Sequence, residues 1–71
     1  MTQADYLAFV EKAMNRYLDN KKALKRGQVY MNVLQEVFPT IHKEVIGTYA
    51  DCSYKDVNID SMLAILIDKI D

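Results

Sequence analysis

Few side chains in this sequence could carry reaction chemistry. His42 is the only histidine and Cys52 the only thiol. A nucleophilic cysteine needs a base within hydrogen-bond reach and a third group to orient that base. Nothing in the spacing supplies the third group, so both residues are read as structural or surface side chains. A zinc site needs about four clustered ligands, which this chain does not have. Asp56-Val57-Asn58-Ile59-Asp60 matches the D-x-N-x-D opening of a calcium loop. The match then fails, with Ser61 where the turn glycine belongs and Ile67 where the bidentate acid belongs. That stretch is better read as a solvated loop leading into a helix cap. Gly27 and Gly47 stand twenty residues apart, so there is no glycine-rich phosphate loop. The expectation is a protein without catalytic residues, cofactor or metal, and not an enzyme.

Binding chemistry has better material. Lys12, Arg16, Lys21, Lys22, Lys25 and Arg26 fall within fifteen residues. Around one turn they would form a basic patch, with Gln28 and Asn32 placed to reach base edges. Asp19 and Glu11 dilute it, and a formal net charge of −1 gives phosphate little long-range attraction. A nucleic-acid-binding module using Arg16, Lys21, Lys22, Lys25 and Arg26 is therefore the alternative function, weighed against a solvated polar face. The charge is uneven: residues 1–36 carry six bases and four acids, and residues 37–71 carry three bases and six acids. Five tyrosines complete the set. Tyr6, Tyr17 and Tyr30 fall on apolar stripes and are read as core edge. Tyr49 and Tyr54 flank Cys52 in an irregular stretch. There they either pin the loop onto the helices or act as interface anchors, where tyrosine is enriched. Asp51 and Asp56 beside them suit a basic partner surface.

The elements that position these residues follow from size and periodicity. Seventy-one residues allow one domain, residues 1–71. A chain this small buries only about 60% of its unfolded surface, so a partner or a homo-oligomer would add stability. The 51% apolar and 27% charged composition suits a folded globule, and two glycines with one proline favour helices over a turn-rich β fold. Thr2 reads as an N-cap with Asp5 at the positive end of the dipole. Tyr6, Leu7, Val10, Ala13, Met14, Tyr17 and Leu18 then repeat at helical spacing, predicting a helix over 3–18. A polar break at residues 19–22 precedes a second helix over 23–38, whose apolar set is Leu24, Tyr30, Met31, Val33, Leu34, Val37 and Phe38. Gly27 inside it costs about 1 kcal/mol against alanine, which predicts close approach of another helix. Pro39 ends the second helix and opens a third over 39–46, and Gly47 follows as its C′ residue. Residues 47–58 have no period. Asn58 reads as the cap of a last helix over 59–70, with Ile59, Met62, Leu63, Leu66, Ile67 and Ile70 inward. The fold expected is an all-α bundle of about four short helices with an irregular 47–58 loop. A single cysteine and an N-terminus without a basic-then-apolar leader predict a cytoplasmic setting, and the lack of a long apolar run predicts no membrane span.

Over residues 26–66 a resemblance joins these readings. Arg26-Gly27-Gln28, Asn32, Leu34, Pro39, Gly47-Thr48, Asp51, Tyr54, Asp56 and Leu66 follow in order. This resembles a group of small uncharacterised helical proteins of bacteriophages and bacteria with the pattern R-x-G-Q-x-x-x-N-x-L, a proline, then G-T-D-x-D-P-[FY]-x-D. The chain departs where Arg26 directly abuts Gly27 and where Cys52-Ser53 replace the proline region. The resemblance implies a bacterial host cell. It also implies that Arg26, Gln28, Asn32, Thr48, Asp51 and Asp56 form a polar network that either binds a partner or ties the loop to the second helix. The leading expectation is a small phage- or prophage-type accessory protein that binds another protein, inhibition being one outcome of that binding. Its candidate surface is Arg26, Gln28, Asn32, Tyr49, Asp51, Tyr54 and Asp56. A homo-oligomer with its seam on the methionine and isoleucines of the last helix is a further alternative.

Overall fold

The computed structural model describes residues 1–20 and 23–71. Among them are four α-helices, α1 (Gln3–Asn20), α2 (Arg26–Val37), α3 (Pro39–Val45) and α4 (Ile59–Asp68), a single 3-10 turn at Asp56–Asn58, and no strand. The all-α bundle expected from periodicity is therefore what the chain forms. It folds within 35 × 24 × 18 Å.

α1 opens with a reciprocal cap. The Asp5 amide donates to Thr2 Oγ1 at 3.1 Å, and the Thr2 amide donates to Asp5 Oδ2 at 3.2 Å. Two first-turn donors are thereby satisfied, as in a capping box. The helix runs two residues past the predicted end at 18, through Asp19 and Asn20, where the Asn20 side chain donates back to the Arg16 carbonyl. Its inward face also differs from expectation. Phe9 and Ala13 are the buried residues, flanked by half-buried Tyr6, Val10 and Tyr17. Leu7, Met14 and Leu18, expected inside, are exposed. The apolar arc of α1 is wide, so spacing alone does not choose between adjacent stripes. The choice is made by α2, whose Tyr30 meets Phe9 edge-on at 6.4 Å between ring centroids. Phe38 packs against the same phenyl ring at 5.9 Å.

α2 is the central element. It packs against α1, α3 and the 3-10 turn, and it buries Gly27, Val29, Tyr30, Met31, Val33 and Leu34. It begins at Arg26, not at 23: the amides of Ala23 and Leu24 both bond back to the Asn20 carbonyl, and Lys25 is extended. Phe38 leaves α2 and precedes Pro39, the first residue of α3. α3 ends at Val45, and Gly47 follows with φ +79°, the left-handed C′ residue that the sequence predicted.

α4 spans Ile59–Asp68, two residues shorter than predicted, and closes the core with Ile59, Met62 and Leu66. Ile67, expected inside, is exposed. Lys69 Nζ reaches Glu44 Oε2 at 2.9 Å and links the end of α4 to α3. Asn58 does not cap α4. Its backbone is helical and its side chain donates to the Asp51 carbonyl at 3.2 Å. The 3-10 turn carries the chain into the helix in place of a side-chain cap.

Candidate functional site

The irregular stretch between α3 and α4 is a built structure. Asp51 organises its first half. Its Oδ2 accepts the Gly47 amide at 2.9 Å, and its Oδ1 accepts the Ser53 amide at 3.0 Å and the Ser53 hydroxyl at 2.6 Å. The last pair is the local turn that aspartate forms with the backbone two residues on. Thr48 Oγ1 donates to the Val45 carbonyl and accepts the Ala50 amide. Burial pushes the Asp51 carboxyl up, but the bonds from Ser53 and Gly47 outweigh it and hold the group below its ordinary range.

The second half is latched to α2. Helix α2 has no side-chain cap of its own at Lys25. The Gly27 amide, one of the donors left open at a helix start, donates instead to Asp56 Oδ1 at 2.8 Å. The Asp56 carboxylate therefore sits at the positive end of the α2 dipole. In return the buried Cys52 thiol donates to the Gly27 carbonyl at 3.3 Å. Burial pushes this thiol up to about 11, so at neutral pH it is an uncharged donor and not a nucleophile. A Cβ on residue 27 would lie 1.9 Å from the Cys52 carbonyl oxygen. The close approach that explains the glycine is thus loop backbone, and not the helix predicted from sequence.

Ala50 and Cys52 are the buried residues of this loop, and its tyrosines point outward: Tyr49 is 73% exposed and Tyr54 84%. The pinning role that sequence offered them belongs to Cys52, Asp51 and Asp56. With Asp51, Lys55 and Asn58, the two tyrosines line an open depression of about 290 Å³. Val57 is 80% exposed on the same loop, and Ile46, also exposed, precedes it.

The candidate residues separate into three places. Tyr49, Asp51 and Tyr54 come together at the depression. Asp56 is at the latch. Arg26 directly precedes the latched Gly27, and its guanidinium lies over Tyr30, 5.3 Å from the centre of the ring. Gln28 is half-buried and Asn32 exposed on α2. No side-chain hydrogen bond among the described residues joins two of the six residues that the resemblance groups into a network: Asp51 bonds Gly47 and Ser53, Thr48 bonds Val45 and Ala50, and of the six Asp56 alone ties the loop to α2, through the Gly27 amide. Of the basic set, Arg16 is paired with Glu36 across α1 and α2, and Lys25 is the residue before α2. Lys21 and Lys22 lie outside the described residues. Asp56 and Asn58 of the calcium-like segment are already engaged, by the Gly27 amide and the Asp51 carbonyl. Among the described residues no three or more His, Cys, Asp or Glu side chains gather as a metal site, and no helix is long and apolar enough to cross a membrane. Of the α4 residues expected at a homo-oligomer seam, Ile59 and Met62 are buried within the chain itself, while Ile67 is exposed.

One surface escaped the sequence reading. Met14, Tyr17, Leu18, Arg26 and Tyr30 line an open groove of about 260 Å³ between α1 and the start of α2. Its signal was present in the doubled apolar stripes of α1, which a single-face reading merged into one. No family model, curated protein or solved structure matches this chain.

Proposed function

We propose that this is a small non-enzymatic accessory protein of phage or prophage type that works in the bacterial cytoplasm by binding another protein. The observation that carries the reading is the pair Tyr49 and Tyr54, held almost fully exposed on a loop whose backbone is tied down at both halves. An exposed aromatic on mobile chain loses ordering entropy when it binds. A pre-set one keeps more of its contact energy, and interface hot spots favour tyrosine for that reason. Asp51 and Asp56 nearby favour a basic patch on the partner. The phage context rests on the order of residues from Arg26 to Leu66.

The test is a pull-down from bacterial lysate with the wild-type chain and with Tyr49→Ala/Tyr54→Ala. Both tyrosines are surface residues, so the variant should keep its helical circular dichroism. A protein retained in stoichiometric amount by the wild type and lost by the variant supports the proposal. Equal retention by both would remove the loop from it. Retention of nucleic acid alone, lost in moderate salt, would favour the basic-patch alternative.

A further inference from the structure

We draw no further inference here: the strongest candidate, the open groove that Met14, Tyr17, Leu18, Arg26 and Tyr30 line between α1 and the start of α2, is an unpartnered apolar face and nothing in the structure shows what covers it.

Discussion

Replacing Gly27 with alanine should destabilise this protein although the residue sits in a helix. In an ordinary helical position, glycine to alanine stabilises by about 1 kcal/mol. Here the new Cβ would stand 1.9 Å from the Cys52 carbonyl oxygen, against the 3.0 Å below which real Cβ contacts essentially never fall. The obstacle is backbone, so it cannot rotate away. The Cys52 segment must move by more than an ångström, and Cys52 is itself buried beside Ala50. Forced expansion of a packed site costs about 1–3 kcal/mol. The same displacement strains the Gly27 amide bond to Asp56 Oδ1 at 2.8 Å, and a hydrogen bond to a charged group is worth about 1.5–3 kcal/mol. After the gain in helix propensity, the net loss should be about 2–4 kcal/mol. In a domain of this size that lowers Tm by about 10–25 °C. Urea and thermal unfolding followed by circular dichroism at 222 nm measure it. A double-mutant cycle with Asp56→Asn separates the two contributions, because the hydrogen-bond part disappears when Asp56 is already changed. A Gly27→Ala chain as stable as the wild type, or more stable, would refute the latch between α2 and the loop.

Three more outcomes follow from the same structure. Leu34 is fully buried at the centre of α2, so Leu34→Ala should cost about 2–5 kcal/mol in urea unfolding; a loss under about 1 kcal/mol would contradict the central place of α2. The Asp51 carboxyl titrates below its unfolded value, so its stabilisation is present above about pH 4 and is lost as pH falls through the folded pKa. Urea midpoints should therefore place Asp51→Asn below the wild type at about pH 6 and closer to it at about pH 2.5, and a gap that stays constant with pH would contradict the Ser53 and Gly47 bonds. Cys52 is buried with its thiol pushed up to about 11, so iodoacetamide at mildly alkaline pH should modify the folded chain at least about a hundredfold more slowly than the urea-unfolded chain. Comparable rates would mean that the loop opens freely.

Some of this architecture is readable residue by residue. Thr2 and Asp5 cap α1, Pro39 starts α3 and Gly47 turns out of it, each where the sequence placed it. These are contacts within four residues, set by backbone geometry that a short segment settles alone. Other readings failed for a common reason. Phe9 goes inside and Leu7 outside because Tyr30 and Phe38 come to meet Phe9. Asn58 serves the Asp51 carbonyl in place of its own helix, and the tyrosines of the loop face out because Ala50 and Cys52 fill the space beneath. In the candidate sites, the sequence pointed to Tyr49, Asp51 and Tyr54 together, and the structure assembles them at one depression. It joined Arg26 to them, whereas Arg26 lies over Tyr30 in the lining of another groove.

What the sequence determined alone was the helical class, the number of helices and where α1, α3 and α4 begin, because amphipathic period, capping and proline or glycine geometry are local. What only the tertiary structure decided was which of two apolar stripes on α1 is core, what approaches Gly27, and which acid caps α2. Each of those depends on residues far apart in the chain, as when Asp56 meets Gly27 across twenty-nine positions, and no local pattern encodes which distant group will arrive.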